Sequence, residues 1–290
     1  MMRIPLFHLD AFSDRPFGGN PAAVCVVSDW PADSLMQRIA AENNLSETAF
    51  VRPGEPAFDL RWFSPTHEVD LCGHATLAAA FVVLTRLHPD RRAVRFETRG
   101  GPLDVRVDDS SLFHLALPAY RVVPVADPPA DLVEGLSTPI ETVLHAVKNF
   151  YVVLPDETAV RDLQPDLERL RRLHPNGVSV TAPGSTTDFV SRYFAPSYGI
   201  PEDPVSGHPH CALVPFWAGR LGRDRLRARQ LSARAGDLDC ELQGDRVVVA
   251  GRVALYAAGE ICIPDLDPDP VQASTAIARS TTPDAHPASA

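Results

Sequence analysis

The sequence has only one lysine, Lys148, and the rest of its 27 basic residues are arginines. It also lacks the G-x-G-x-x-G and G-x-x-x-x-G-K-[ST] nucleotide-binding patterns and the G-x-S-x-G nucleophile elbow. Lys148 lies in no P-loop or pyridoxal-type context. These absences argue against a P-loop nucleotidase, a dinucleotide-binding domain of the usual type, a pyridoxal enzyme and an α/β-hydrolase.

Basic charge is also scarce, because 27 Lys and Arg face 37 Asp and Glu and the formal net charge is −10. With no cluster of basic residues, the chain lacks the electrostatic footprint of a nucleic-acid-binding protein. The longest apolar stretch, Ala75 to Leu84, contains Thr76 and is too short to span a bilayer. Met1 to Asp10 lacks the profile of a signal peptide. We therefore predict no nucleic-acid partner and no membrane association.

Cysteines are few and scattered, five in 290 residues. An odd number without regular spacing indicates reduced thiols and a cytoplasmic protein. A chain of this length can bury a full core without disulfides. The segment 264–290 is rich in Pro and Asp and has no aromatic residue, so we predict a disordered tail after a folded body.

Three short motifs recur in the same order along this body. Arg61-Trp62-Phe63-Ser64-Pro65 returns as Arg192-Tyr193-Phe194-Ala195-Pro196, and Gly73-His74 returns as Gly207-His208. The motif that begins at Arg99 returns at Arg234. The offsets are close to one another, at about 131 to 135 residues. The chain is therefore predicted to contain two similar halves, residues 1–118 and 119–263.

Patterns of alternating or β-branched residues predict more strands than helices. The predicted strands are 4–10, 22–27, 48–51, 58–63, 93–98, 103–107, 112–116, 149–154, 177–181, 188–194, 231–233, 238–243 and 246–249. The predicted helices are 31–43, with Asp29 as a possible cap, 73–87, 166–174 and 207–219, the last of which Pro215 should kink or shorten. The helix at 73–87 is apolar nearly all round, as expected of a helix inside a curved sheet. The fold class is therefore α+β, with each half wrapped around one central helix.

Both central helices are predicted to begin at a Gly-His pair. A helix N-terminus offers free N–H groups and a partial positive charge, and glycine lets a ligand approach the backbone. If the halves face each other, the two helix starts can hold a small carboxylate between them. Titratable and nucleophilic residues fall in the same loops: Ser46, Glu47, Cys72, Glu202 and Asp203.

The motifs Asn44-Leu45-Ser46-Glu47-Thr48, Leu71-Cys72-Gly73-His74-Ala75 and Glu202-Asp203-Pro204-Val205-Ser206-Gly207 resemble the PhzF-like phenazine-biosynthesis family. The opening residues Phe17-Gly18-Gly19-Asn20-Pro21 are similar to it as well. The resemblance spans residues 4 to 262. It implies the diaminopimelate-epimerase fold, with two pseudo-symmetric α+β domains that each wrap a central helix.

The resemblance also implies isomerase chemistry without a cofactor. The best-known member moves a proton along the ring of a dihydro-hydroxyanthranilate, and its acid/base glutamate corresponds to Glu47. A histidine and an aspartate that assist correspond to His74 and Asp203. The family's remaining substrate contacts correspond to Ser46, Gly73, Ser206 and Gly207. Homodimers are common in the family, so we expect a homodimer here, and we expect Glu47 to be buried between the halves.

Two residues depart from the family pattern. His208 stands where relatives have a small residue, so we expect it to reshape the carboxylate pocket. Cys72, absent from the best-known isomerase, lies beside a helix start, where thiol pKa values fall. In the related epimerases two cysteines transfer the proton; the first corresponds to Cys72, and Asp203 replaces the second.

The sequence leaves two other functions open. One is an amino-acid racemase or epimerase with a single catalytic cysteine, Cys72, that acts together with Glu47 or Asp203. The other is a non-catalytic protein that binds a small molecule in the same cleft. A transition-metal cluster formed by His208, His210 and Cys211 with Cys72 and His74 matches no standard zinc spacing, and we predict no metal.

Overall fold

Strands dominate the computed structural model, which describes residues 1–264. The strands of this part of the chain are β1 (Met2–Ala11), β2 (Asn20–Val26), β3 (Glu47–Arg52), β4 (Phe58–Phe63), β5 (Glu68–Val69), β6 (Ala93–Glu97), β7 (Leu103–Val107), β8 (Phe113–Pro118), β9 (Val123–Pro124), β10 (Thr142–Ala146), β11 (Asn149–Val153), β12 (Gly177–Pro183), β13 (Phe189–Ala195), β14 (Ile200–Asp203), β15 (Arg225–Gln230), β16 (Gly236–Gln243), β17 (Arg246–Gly251) and β18 (Val253–Ile263). The helices are α1 (Asp33–Asn43), α2 (Gly73–Val82), α3 (Ala130–Leu136), α4 (Glu157–Arg161), α5 (Leu167–Arg171) and α6 (Gly207–Leu221).

The strand pairings follow the same pattern in two successive parts of the chain. In the first part β2–β3 is parallel, β3–β4 antiparallel and β4–β6 parallel, and β6–β7–β8 is antiparallel. In the second part β11–β12 is parallel, β12–β13 antiparallel and β13–β15 parallel, and β15–β16–β17 is antiparallel. The predicted α+β fold of two pseudo-symmetric halves is confirmed.

Two antiparallel pairs join the halves. β8 pairs with β17, and β18 returns to lie beside β1. The predicted second half, residues 119–263, therefore includes a strand that belongs to the sheet of the first half. The exact boundary between residues 118 and 119 stays a prediction.

Two arginines at equivalent positions of the repeat, Arg61 and Arg192, make the same kind of contact in the two halves. Arg61 on β4 makes two hydrogen bonds, of 2.7 and 2.8 Å, to the carboxylate of Glu68 on β5. Arg192 on β13 makes the equivalent pair, of 2.8 and 3.0 Å, to Glu202 on β14. Each bidentate pair ties a short strand to the central sheet. The second pair thereby fixes the strand that ends at Asp203.

Both predicted central helices are buried. Every α2 residue from His74 to Ala80 is buried, and a π-helical turn (Val83–Leu87) extends the helix to the predicted end. Pro215 was predicted to kink or shorten its helix; α6 continues to Leu221, so the helix is not shortened, and the kink stays a prediction. Pro215 has no N–H for the carbonyl of Cys211, and the backbone N–H of Tyr120 donates to that carbonyl instead, at 2.8 Å. A neighbouring segment thus replaces the bond that proline removes.

Other predicted elements need correction. α1 is capped by Ala32 and not by Asp29, so the helix begins two residues later than predicted. The predicted strand at 231–233 is absent, and the strand lies just before it, at β15. The inner positions of β15 are Leu226, Ala228 and Gln230, and its outer positions are arginines, a composition too polar to suggest a strand. The predicted helix at 166–174 is the shorter α5, with the Asp166 side chain as its cap.

The predicted tail, residues 264–290, lies outside the described residues apart from residue 264. Among residues 1–264, no helix is both long and apolar enough to cross a bilayer. All five cysteines fall within this range and all are free.

Candidate active site

Glu47 and His74 form the centre of the candidate site. Glu47 is the first residue of β3, and His74 is the second residue of α2. Oε2 of Glu47 lies 3.0 Å from Nε2 of His74. Both residues are buried, Glu47 with 8% and His74 with 4% of its surface exposed. In either protonation state the Nε2–H group of His74 can point at this carboxylate.

Asp203, from the second half of the chain, reaches the same place through Asn20. The Asn20 Nδ2 group donates to Oδ1 of Asp203 at 2.6 Å and to the carbonyl of Val205 at 2.9 Å, and it lies 3.1 Å from Nδ1 of His74. Ser46 donates its hydroxyl to Oδ1 of Asn20 at 2.9 Å. One fully buried amide therefore connects three of the predicted site residues.

Asn20 was not among the predicted site residues, although it lies within the motif Phe17-Gly18-Gly19-Asn20-Pro21. The signal that could have found it is a polar side chain at the start of a strand whose following residues are apolar. Gln230 was missed for a similar reason: its amide accepts from the N–H of Ser206 at 3.0 Å and donates to the carbonyl of Asp203 at 2.6 Å. Gln230 thus fixes the loop that precedes α6.

The two helix starts face each other across a small cavity. A Cβ placed on Gly73 would lie 3.7 Å from the Cα atom of Gly207. Neither Cys72 nor Ser206, the residues that cap α2 and α6, makes a side-chain cap hydrogen bond. The N–H groups of Gly73, His74, Gly207 and His208 are therefore left for a ligand, whereas the N–H of Ala75 contacts the Cys72 sulfur and Pro209 has none.

The cavity has two parts. The inner part, of about 80 Å³, is bordered by all the predicted site residues except Ser46. It shares Glu47, Asp203 and His208 with an outer chamber of about 570 Å³ that Ser46 also lines. The outer chamber has aromatic walls formed by Tyr193 and Tyr198. The structure thus brings together all nine residues that the sequence predicted for the site.

The surroundings raise the pKa values of both Asp203 and His74. Burial raises the pKa of Asp203, which the nearby charge of Glu47 raises further against the opposing effects of His74, Ser206 and Asn20. Burial by itself lowers the pKa of His74, but negative charge on Cys72 and Glu47 outweighs it and raises that pKa well above its usual value. The Cys72 thiol holds its proton at neutral pH, so the contribution of its charge to the pKa of His74 is present only at high pH.

The expected fall in the thiol pKa of Cys72 was wrong. Burial, with the neighbouring charge of Glu47, raises the pKa of this thiol to about 11. The helix start beside Cys72 does not compensate for the loss of water around its sulfur atom. Cys72 is therefore a thiol at neutral pH, with its Sγ atom 3.5 Å from Nδ1 of His74.

His208 lines the site in a defined orientation. Its Nε2 atom lies 3.0 Å from the amide Nδ2 of Asn149, whose Oδ1 accepts the hydroxyl hydrogen of Tyr193 at 2.9 Å. Burial lowers the pKa of His208, so the neutral form is favoured. Because Asn149 donates to Nε2, the ring proton lies on Nδ1, which is then a hydrogen-bond donor.

The structure distinguishes the site residues from other candidate residues that the sequence suggested. Glu202 is paired with Arg192 and has a structural role, whereas Asp203 beside it belongs to the site. The metal cluster that the sequence raised as an alternative does not form: the Nδ1–H group of His210 donates to the carbonyl of Ser206 at 2.7 Å, and Cys211 contacts the carbonyl of Gly207. Among the described residues, the group that could hold an ion is Glu47, Cys72 and His74, whose donor atoms lie within 4.8 Å of one another.

Comparison with known proteins gives consistent matches along the chain. The family profile described as "Phenazine biosynthesis-like protein" matches residues 9–259. An uncharacterized isomerase of Pseudomonas aeruginosa is 48% identical over 260 residues, covering 90% of this chain and 99% of the relative. A crystal structure of a phenazine biosynthesis protein of the PhzF family from Enterococcus faecalis is 40% identical with a TM-score of 0.85, covering 90% of this chain and 100% of that one.

A more distant structure shows how widely the fold is shared. A hydroxyproline epimerase from Agrobacterium vitis, solved with bound trans-4-hydroxy-L-proline, is 13% identical with a TM-score of 0.64. The match covers 92% of this chain and 93% of the epimerase. At this identity the likeness concerns the fold alone.

Proposed function

The chain belongs to the phenazine biosynthesis-like (PhzF) family, and on that premise we propose that it is a cofactor-independent isomerase. It moves a proton between carbon atoms of a small carboxylated substrate, with Glu47 as the acid/base. His74 and Asp203 hold the substrate and assist. The substrate lies in the cavity between the two halves.

The observation that carries this proposal is the position of the Glu47 carboxylate. Its Oε2 atom is buried, faces His74 and has no other hydrogen-bond partner among the described residues. A base that removes a proton from carbon must be shielded from water and free to accept that proton. One shielded carboxylate can take the proton from one carbon and return it to another, so it can serve as base and then as acid.

The paired helix starts support binding of a carboxylate. The N–H groups that follow Cys72 and Ser206 provide fixed donors, and they cost no rearrangement when negative charge develops on the substrate. Gly73 and Gly207 line the inner cavity with backbone atoms alone, so no side chain of theirs covers these N–H groups. This arrangement would hold the substrate carboxylate and stabilise the carbanion-like transition state with the same donors.

The walls of the outer chamber support a ring-shaped substrate with a polar substituent. Tyr193 and Tyr198 offer flat apolar faces, and the Nδ1–H group of neutral His208 offers one donor near the inner cavity. We propose that this donor selects for a carbonyl, hydroxyl or ring oxygen on the substrate. Relatives with a small residue at this position would lack that selection.

The one-cysteine racemase is the main alternative, because Cys72 borders the same inner cavity. Its raised pKa argues against it, since a protonated thiol is a poor base at neutral pH. The variant Cys72→Ala separates the two mechanisms. The Glu47 mechanism predicts proton exchange within about tenfold of wild type, whereas complete loss of exchange in a folded variant would favour the cysteine.

The test of the function is deuterium uptake from heavy water. Candidate cyclic carboxylates, including anthranilate derivatives and proline, are incubated with the protein and followed by NMR. The isomerase proposal expects at least one compound to gain deuterium at carbon. Binding without any exchange across the panel would favour the non-catalytic binding protein. The homodimer and the cytoplasmic location stay predictions.

A further inference from the structure

Three donor atoms in the inner cavity have the spacing of a single cation site. Nε2 of His74 lies 3.0 Å from Oε2 of Glu47 and 4.0 Å from Sγ of Cys72. All three residues offer atoms within 4.8 Å of one another. In a tetrahedral zinc site with bonds of 2.0–2.3 Å, donor atoms are about 3.4–3.6 Å apart. Small side-chain rotations would therefore bring all three donors onto one ion.

The three donor groups are buried and border the same inner cavity. Glu47, Cys72 and His74 expose 8%, 7% and 4% of their surface. The neighbour of Oε2 of Glu47 is Nε2 of His74, at 3.0 Å. A cation bound here would take the place of the proton between these two atoms, with the Cys72 sulfur beside it.

The donor set indicates which cations fit. A thiolate, an imidazole and a carboxylate together favour zinc and similar borderline ions, whereas magnesium and calcium prefer oxygen donors alone. Three protein ligands with one open position are typical of zinc sites that are accessible to small molecules. The open position would face the inner cavity of about 80 Å³, large enough for a bound water.

We propose that Glu47, Cys72 and His74 bind one Zn²⁺ ion, and that the fourth position of the ion opens to the inner cavity. This departs from the prediction, made from the sequence, that the protein has no metal. Binding converts the Cys72 thiol to a thiolate and requires an unprotonated Nε2 on His74. The thiol proton goes to solvent, and the Nε2 proton goes to solvent from imidazolium or to Nδ1 from neutral imidazole. The bound ion is also expected to occupy the Glu47 carboxylate, so zinc would inhibit the isomerase. This inhibition rests on the proposed function, whereas the metal site itself does not.

The experiment uses Co²⁺ as a visible probe for the zinc site. Untagged protein is freed of metal with a chelator and titrated with Co²⁺, and the thiolate-to-cobalt charge-transfer band is followed in the near ultraviolet. Wild type is compared with Cys72→Ser and with the matched control Cys262→Ser, which changes the exposed cysteine. Thermal unfolding of each variant checks that it is folded.

The proposal expects a 1:1 band in wild type and in Cys262→Ser, displaced by Zn²⁺ and unaffected by Mg²⁺. Cys72→Ser should lose the band and bind Co²⁺ at least about 100-fold more weakly, since loss of an outer-shell contact alone costs about 10–100-fold. Glu47→Gln should keep the band with weaker affinity. A band that persists in Cys72→Ser, a band that disappears in Cys262→Ser, or no saturable binding in wild type would overturn the proposal.

The cobalt titration and the proton-exchange assay can fail independently. A thiolate band without any exchange activity would support the metal site and count against the isomerase. Exchange activity without a thiolate band would support the isomerase and count against the metal site. Proton release on Zn²⁺ addition, measured in weakly buffered solution, gives a second readout of the site, and its absence would contradict a thiolate ligand.

Discussion

The substitution Gly73→Ala should separate substrate binding from stability. The added Cβ meets its nearest neighbours at 3.7–4.0 Å, which is ordinary van der Waals contact, and the residue lies at the start of α2. Gly→Ala at a compatible helical position stabilises a protein by about 0.4–1 kcal/mol. For a chain of this size that corresponds to a rise in Tm of about 1–4 °C.

Binding should change in the opposite direction. The methyl group would occupy the gap between the two helix starts and take about 30 Å³, the space of one water molecule, within an inner cavity of about 80 Å³. If the methyl group prevents one hydrogen bond to the substrate carboxylate, the binding free energy becomes less favourable by about 1.5–3 kcal/mol. Each 1.4 kcal/mol is a factor of ten, so affinity should fall by about 10- to 100-fold.

The assay combines thermal unfolding with titration of the carboxylate that shows exchange activity or, before one is known, of anthranilate and proline. Gly219→Ala is the matched control, because Gly219 lies in α6 with no atom within 4 Å of an added Cβ. The control should gain similar stability and keep its affinity. Unchanged affinity in Gly73→Ala, or a loss of stability, would refute the account of the helix starts as the carboxylate site.

Further predictions concern buried charge and proton binding away from the cavity. Burial lowers the pKa of His210 to about 4 in the folded protein. Between pH 6.5 and 4 the unfolded chain therefore binds more protons than the folded chain, and acid favours unfolding. From pH 7 to pH 4 the unfolding free energy of wild type should fall by about 3 kcal/mol more than that of His210→Phe. Urea unfolding at each pH measures this difference. The control His174→Gln changes an exposed histidine and should show the pH dependence of wild type. An equal change of unfolding free energy with pH in all three proteins would contradict the lowered pKa of His210. Arg192→Met leaves Glu202 without its partner and three carbonyls without this donor, so we expect a loss of about 2–4 kcal/mol in chemical unfolding and lower exchange activity through displacement of β14. Stability within 1 kcal/mol of wild type would show that this pair does not fix the strand.

The sequence was sufficient for the architecture because the repeat and the apolar helices are strong signals. Arg61 and Arg192 recur since each half needs the same bidentate tie, and the run after Gly73 is apolar all round because α2 is buried on every side. The behaviour of α6 was not predictable locally. The carbonyl that Pro215 leaves free is satisfied by the N–H of Tyr120, almost one hundred residues away, which no local pattern indicates.

The site residues that belong to a recognisable motif were predicted from the sequence. The site residues that are single polar side chains in a strand were missed. Glu47, His74 and Asp203 were all named by resemblance, and the structure brings them together. Asn20 and Gln230 were missed because one buried amide in an otherwise ordinary strand has no periodic pattern. The pKa direction of Cys72 was predicted wrongly because sequence shows the helix start beside it but not the depth of its burial.

The most direct test of the central claim compares Glu47→Gln with Glu42→Gln in the heavy-water exchange assay. Glutamine keeps the shape of the buried side chain and removes its ability to take a proton, while Glu42 is exposed on α1 and serves as control. With Glu47 as the acid/base, the exchange rate should fall by about 10³-fold or more in Glu47→Gln and stay at the wild-type value in Glu42→Gln. Exchange in folded Glu47→Gln at a rate close to wild type would contradict the mechanism and leave the fold as the part of the account that stands.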